Sequence, residues 1–335
     1  MARQVGVVGA GGWGTALAKV LAEKGEDVTL WCHGASSYRD ITDWRENRAY
    51  LAGIQLPENI AVTQSIASAV AGKFLVLCAV PSHAVRKVFS QAKSELAPDT
   101  LMLCGTKGLE EGTLKTMGEL FADIFGATIQ ERQAFLSGPT FAIEVARGLP
   151  AAVTVAANSQ GVAQSVQDVL NTPTLRVYTS SDVVGVQIGG VVKNVIAIAA
   201  GISDGLGLGQ NARAALITRG LAEMTRLAVR MGADSMTLAG LPGLGDLILT
   251  CAGDLSRNRT VGLQIASGKS LAEISGATRT IAEGVRNTRS LHSLAEQLGV
   301  EMPIVEQMNA VLYAGKPPAE AVRDLMQRSL KSETG

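Results

Sequence analysis

The sequence predicts an α/β domain on a doubly wound, mostly parallel sheet, followed by an all-α C-terminal domain. Three observations carry this reading. Short apolar strand-like runs alternate with helical runs through the first 180 residues, which places the strands in one parallel sheet with helices over its faces. Beyond that point the strand signal stops, and the periodic segments have helical spacing. A glycine-rich turn joins the first strand to the first helix.

The elements follow in order. Gln4–Val8 is an apolar strand stopped by glycine. Trp13–Lys24 is a helix with Ala16, Leu17, Val20 and Leu21 on one face and Gly25 as its stop. Asp27–Cys32, Ile60–Thr63, Phe74–Val80 and Thr100–Cys104 are the next strands, with helices near Ser65–Ala71 and Ser82–Leu96. Ala134–Ser137, Ala151–Ala156 and Leu175–Tyr178 extend the sheet, separated by helices at Thr140–Arg147 and Ser159–Leu170. Asp182–Ala200, Ala212–Met231, the stretch from Val261, Thr288–Leu298 and Ala319–Leu330 are helical. The change of class divides the chain into residues 1–185 and 186–335. On the second of these helices, Arg219, Glu223, Arg226 and Arg230 form a charged stripe, the pattern of a solvated face.

Composition excludes several classes. Of 335 residues, 30 are Lys or Arg and 30 are Asp or Glu, so the net charge is zero. A general nucleic-acid binder carries a basic surplus, so no nucleic acid is expected as partner. Hydrophobic residues at 47% suffice for a core. Val183–Ile202 is apolar enough to span a membrane, but Gln187, Lys193 and Asn194 near its middle make it a buried helix, and no integral membrane segment is expected. Cys32, Cys78, Cys104 and Cys251 form no C-x-x-C pair and read as buried thiols of a reducing compartment. No secretory signal is visible, so the expected location is the cytoplasm.

Gly9, Gly11 and Gly14 fit G-x-G-x-x-G within Gly9-Ala10-Gly11-Gly12-Trp13-Gly14. The setting, after a strand and opening a helix, makes this the turn of a Rossmann-type dinucleotide-binding domain. Gly9 permits the tight turn, Gly11 lets backbone approach a pyrophosphate, and Gly14 lets helix and strand pack closely. The free N–H groups of the helix start face the anion. The second strand ends Trp31-Cys32-His33-Gly34, without the acidic residue that would bind a ribose 2′-hydroxyl and repel a 2′-phosphate. The cofactor is therefore NADP or NAD, with NADPH favoured, and His33 and Arg39 are candidates to face the phosphate.

In the second half, Lys193 stands on a helix with Gly189 and Gly190 at i−4 and i−3 and Ala197 at i+4, which leaves open space around the amine. A buried ammonium is paired or has a lowered pKa, and such a lysine serves as general acid or base near neutrality. Asp246, after two glycines in an apolar loop, is a candidate anchor for Lys193 or for a substrate hydroxyl. Ser256-Arg257-Asn258 offers a hydroxyl, a guanidinium fork and an amide, a set suited to phosphate, with Ser256 also a helix N-cap. Lys107 and Ser137-Gly138-Pro139-Thr140 end strands, where ligands of open α/β sheets bind.

These residues lie in a chain that resembles the bacterial-type NAD(P)-dependent glycerol-3-phosphate dehydrogenases almost end to end. The resemblance rests on GAGGWGTALA (9–18), CAVPSHAVR (78–86), GTKGLE (105–110), SGPTFAIEV (137–145), GVVKNVIAIAAGISDGLGLGQNARAALITRGLAEM (190–224), LPGLGDLILTC (241–251), SRNR (256–259), AEGVRNT (282–288) and VEMPIVE (300–306). It implies that Lys193 is the catalytic lysine. Lys107, Gly138, Thr140, Asp246, Ser256, Arg257 and Asn258 fall on substrate-binding positions. Gly12, Trp13, His33, Lys107, Ala142, Arg257, Ile281 and Glu283 fall on cofactor-binding positions. The implied reaction interconverts dihydroxyacetone phosphate and sn-glycerol 3-phosphate, supplying phospholipid synthesis, and the implied assembly is a homodimer. A β-hydroxyacid dehydrogenase and a nucleotide-sensing regulator without catalysis are the alternatives.

Overall fold

The computed structural model describes residues 2–276, 282–330 and 332–333. Among the described residues, eight strands form one sheet: β1 (Gln4–Val8), β2 (Asp27–Trp31), β3 (Ile60–Thr63), β4 (Leu75–Cys78), β5 (Leu101–Cys104), β6 (Gln133–Ser137), β7 (Ala151–Ala157) and β8 (Leu175–Ser180). Their order is β3-β2-β1-β4-β5-β6-β7-β8. Between them run α1 (Gly12–Glu23), α2 (Ala35–Trp44), α3 (Ile66–Val70), α4 (Val85–Gln91), α5 (Met117–Phe125), α6 (Ala142–Ala146) and α7 (Gln160–Leu170). The chain leaves β1 toward β2 and β3, then returns to β4 on β1's other side. That reversal opens a crevice at the carboxyl ends of β1 and β4, where the glycine turn lies.

The pairing is parallel except between β6 and β7. After β6 the chain passes through the short α6, and β7 runs back beside β6.

Among the described residues, helices alone follow: α8 (Val183–Gly205), α9 (Gly209–Arg230), α10 (Ser235–Ala239), α11 (Asp246–Ala252), α12 (Arg257–Ala266), α13 (Leu271–Gly276), α14 (Glu283–Leu298), α15 (Pro303–Tyr313) and α16 (Pro318–Met326). Hydrophobic all round, α8 must be buried on all sides, and 83% of its most apolar stretch is inside the protein. Small residues let α12 lie directly on it. A Cβ at Gly201 would fall 2.0 Å from the Arg259 carbonyl oxygen, and one at Gly262 would fall 2.1 Å from that of Ile198. All four cysteines are buried free thiols.

Several elements differ from the sequence reading. The helix expected over Ser82–Leu96 is a short 3-10 turn at Ser82–Ala84 followed by α4, which ends at Gln91. Of the helices not expected, α5 is opened by a capping box between Thr116 and Glu119, and α15 has Pro303 at its first position. The charged stripe of α9 is a solvated face only in part: its arginines are exposed or half-exposed, and Glu223 is not. Glu223 is buried and accepts hydrogen bonds from the Ile304 and Val305 amides at the start of α15 (2.7 and 3.3 Å). Arg226 donates to the Glu301 carbonyl and Arg230 to that of Leu298. The stripe thus holds the turn between α14 and α15, its anion at a helix start and its cation at a helix end, as the helix dipoles favour.

Candidate active site

The glycine turn is built by close contact. Gly9 has φ +120°, and a Cβ there would lie 2.8 Å from the Ala79 backbone. A Cβ on Gly14 would fall 1.9 Å from the Gly9 carbonyl oxygen. Gly11, by contrast, has nothing within 4 Å of its open side, and it precedes α1 without a side-chain cap. The first amides of α1 thus have no side-chain cap, and the turn fits a dinucleotide pyrophosphate. Asn47, fully buried, donates to the Ala10 carbonyl (2.9 Å) and the Thr15 hydroxyl (2.8 Å) and braces the turn from below. Nothing local in the sequence marks Asn47, because its partners are more than 30 residues away.

Around this turn the structure gathers Gly12, Trp13 and Ala142. A Cβ on Gly12 would meet the Ala142 methyl at 3.8 Å, and the Trp13 indole nitrogen lies 3.1 Å from where a Cβ of Gly105 would stand. Gly105 is two residues before Lys107, so the indole links the turn to the second cluster. His33 is not part of this gathering. It follows β2, exposed, its ring tilted at 46° against Trp31 with centroids 5.6 Å apart.

The second cluster centres on Asp246, which has no exposed surface. Its Oδ1 accepts from the Lys193 ammonium and its Oδ2 from that of Lys107, each at 2.5 Å. Lys193 also donates to the Thr250 hydroxyl at 3.0 Å. Asp246 stands at the start of α11, after a π-helical turn over Leu241–Gly245, and not in a loop. The expected open space around Lys193 is filled as well. A Cβ at Gly189 would fall 2.4 Å from the Pro242 carbonyl oxygen, and one at Gly190 would fall 3.1 Å from Lys107 Cγ. The two glycines make room for the Asp246 turn and for the Lys107 stem.

Burial pulls the Lys193 ammonium down to about 8; Asp246 opposes the fall and Lys107 adds to it. Burial alone would raise the Asp246 carboxyl, but the two ammonium groups hold it below the usual range. Enclosure pushes the Glu283 carboxyl up, against the opposing pull of Arg257, Lys107 and Lys193. Glu283 therefore shares one field with the three cations.

Ser256 caps α12, its hydroxyl accepting from the Arg259 amide at 3.2 Å. The Asn258 amide donates to Asn194 Oδ1 (2.8 Å) and accepts from the Gly284 amide (3.0 Å). The expected three-part phosphate clasp is thus partly internal. Ser256 keeps its hydroxyl proton and Asn258 its second amide hydrogen, while Arg257 is exposed between them. Gly138 has φ +146° and packs on Val153, and the Thr140 hydroxyl donates to its carbonyl at 3.2 Å. Pro139 reaches within 3.5 Å of a Cβ position on Gly245, which brings this turn beside Asp246. Ile281 lies outside the described residues. Asn194 and Thr250 are contributors that sequence reasoning did not single out; each follows a recognised residue, by one position along α8 and by one turn along α11.

The chain matches the N-terminal family model of NAD-dependent glycerol-3-phosphate dehydrogenase over residues 4–163 and the C-terminal model over residues 182–323. It is 54% identical over 333 residues to glycerol-3-phosphate dehydrogenase [NAD(P)+] of Geobacter sp. (strain M21), covering 99% of each chain. With the enzyme of that name from Anaeromyxobacter dehalogenans (strain 2CP-C) it shares 55% identity over 327 residues, 98% of each chain. The crystal structure of glycerol-3-phosphate dehydrogenase from Coxiella burnetii superposes with a TM-score of 0.93 at 40% identity, covering 98% of this chain and 99% of that one. With both halves matched and full-length relatives above 50% identity, the chain belongs to the NAD-dependent glycerol-3-phosphate dehydrogenase family.

Proposed function

We propose that this chain interconverts dihydroxyacetone phosphate and sn-glycerol 3-phosphate, with Lys193 moving the proton and Arg257 receiving the phosphate. The Lys193–Asp246–Lys107 cluster is the observation that carries this reading. An ammonium has three hydrogens. Asp246 and Thr250 take two of those on Lys193, and the third is left for a substrate oxygen.

When bound, the nicotinamide cofactor supplies the hydride that reduces C2 of the ketone. Gly9, Gly11, Gly12 and Gly14 would hold its pyrophosphate at the start of α1, with Trp13, Ala142, Lys107, Arg257, Glu283 and Ile281 on its remaining surface. The tip of β2 carries no carboxylate to repel a 2′-phosphate, and His33 is exposed there, which supports a preference for NADPH. Lys193 meets the negative charge developing on the carbonyl oxygen and gives it a proton. In the reverse direction the neutral amine takes that proton back. Ser256, Arg257 and Asn258 hold the phosphate and thereby fix C2 in place, with Gly138 and Thr140 bordering the substrate beside Asp246. A cytoplasmic homodimer supplying glycerol 3-phosphate for phospholipid synthesis completes the reading.

Initial rates on dihydroxyacetone phosphate and on small 2- and 3-oxo acids, each with NADH and NADPH, test it. The phosphorylated ketone with NADPH is expected to react fastest. Preference for the oxo acids would overturn the substrate assignment, and preference for NADH the cofactor assignment.

A further inference from the structure

Asp204 lies at the far end of α8 from the chemistry, yet it is tied to the phosphate-binding turn. Its Oδ1 accepts from Arg213 Nε at 2.7 Å, and its Oδ2 from Arg259 Nε at 2.8 Å. The Asp204 side chain is 8% exposed. Arg259 also meets Asp254, but that carboxylate is 95% exposed and solvent screens the pair. The buried Asp204 contact therefore fixes the Arg259 side chain. Arg259 in turn supplies the amide capped by Ser256, and its carbonyl rests on Gly201.

The first turn of α12 is thus fastened to α8 at two places. Asn194, next to Lys193, holds Asn258, and Asp204, ten residues further on, holds Arg259. Ten residues of helix span about 15 Å. A single rigid helix therefore carries both the proton donor and the anchor of the turn that presents Arg257. We infer that Asp204 is a positioning residue: through Arg259 it sets the rotation of the first turn of α12, and so aims Ser256 and Arg257 at the substrate phosphate. This inference rests on the phosphate role assigned to Arg257 above.

The test compares dihydroxyacetone phosphate with dihydroxyacetone, which lacks the phosphate. Asp204→Asn is expected to lower kcat/KM for the phosphorylated substrate about 10- to 30-fold, mainly through KM, and that for dihydroxyacetone by less than about twofold. Arg213→Gln, which loosens Asp204 from its more exposed side, should show the same selectivity at about threefold, and it serves if Asp204→Asn does not fold. Arg259→Gln added to Asp204→Asn should cause little further loss, because the two act as a unit. Equal losses on both substrates, or none, in Asp204→Asn and Arg213→Gln would overturn the inference. Arg257→Ala in the same assay separates the two layers. If it too is unselective, the phosphate assignment itself fails; if it is selective while the Asp204 variant is not, only the positioning role fails.

Discussion

Replacing Asp246 by Asn leaves two ammonium groups facing an uncharged amide in a largely buried site. Each ammonium is 2.5 Å from the carboxylate in the native protein, and Asp246 has no exposed surface. Lys193 sits at about 8 because Asp246 offsets part of the cost of burial. An opposite charge at this range is worth roughly 1–3 pKa units, so the variant should bring Lys193 to near 6, taking ~2 units as the midpoint. Repulsion from Lys107 acts in the same direction. At pH 7 the ammonium fraction then falls from about nine-tenths to about one-tenth, a roughly tenfold loss of proton donor. Loss of the hydrogen bond that orients the amine should cost about another tenfold. The assay is kcat/KM for ketone reduction against pH. The native profile should fall as pH rises through about 8, because reduction needs the protonated amine. In Asp246→Asn that limb should move about two units toward acid, and lowering the pH to 5.5 should recover the tenfold due to protonation. An alkaline limb still near 8 in the variant would refute the electrostatic reasoning, whatever the loss of rate.

Lys193→Ala should lower turnover about 10²- to 10⁴-fold while dinucleotide affinity, followed by fluorescence titration, stays nearly unchanged; unaltered turnover would remove Lys193 from the chemistry. Gly14→Ala puts a methyl 1.9 Å from the Gly9 carbonyl oxygen, so α1 must draw back from β1. Dinucleotide affinity should drop and stability should fall by about 1–3 kcal/mol, both read by thermal unfolding with and without NADPH. Burial pushes the Glu223 carboxyl up to about 7, against the α15 amides that favour its charge. The folded protein then holds a proton that the unfolded chain has released, and stability falls as pH rises from about 4.5 to about 7, by about 3 kcal/mol in all. Glu223→Gln should flatten this dependence in thermal scans at pH 5 to 8, and an unflattened curve would place the titration elsewhere.

The sheet was legible because most of its strands are short apolar runs closed by glycine or a polar residue, a pattern that depends on neighbours in sequence. The pairing of Lys193 was legible for a similar reason: a lone lysine in an apolar helix needs a partner or a function, and Asp246 meets it. What stayed hidden depends on distant partners. Glu223 has the spacing of a surface stripe, and its burial is decided by the start of α15, 81 residues away. The glycines beside Lys193 suggested empty space, whereas segments around Pro242 and Lys107 fill it. Ser256 and Asn258 promised free donors to an anion. Part of their capacity goes to the cap of α12, to the middle of α8 and to the start of α14, contacts that no local spacing encodes.

Charge balance in the cleft leads to one more consequence. Lys107, Lys193 and Arg257 bring three positive charges against Asp246 and the raised carboxyl of Glu283. Before substrate arrives, Lys193 is near 8 partly because Lys107 repels it. A phosphate dianion bound at Arg257 adds negative charge to the same enclosed space, and negative charge stabilises the ammonium form. Substrate binding should therefore raise Lys193 and keep its proton in place until the carbonyl is reduced. The free-enzyme value governs kcat/KM and the complex governs kcat. For dihydroxyacetone phosphate the alkaline limb of kcat should lie about one unit above that of kcat/KM, provided the chemical step limits both. With dihydroxyacetone, which brings no dianion, the two limbs should coincide. Coincident limbs for the phosphorylated substrate would mean that the phosphate sits too far from Lys193 to act on it, and the shared field inferred from Glu283 would then not extend to the bound substrate.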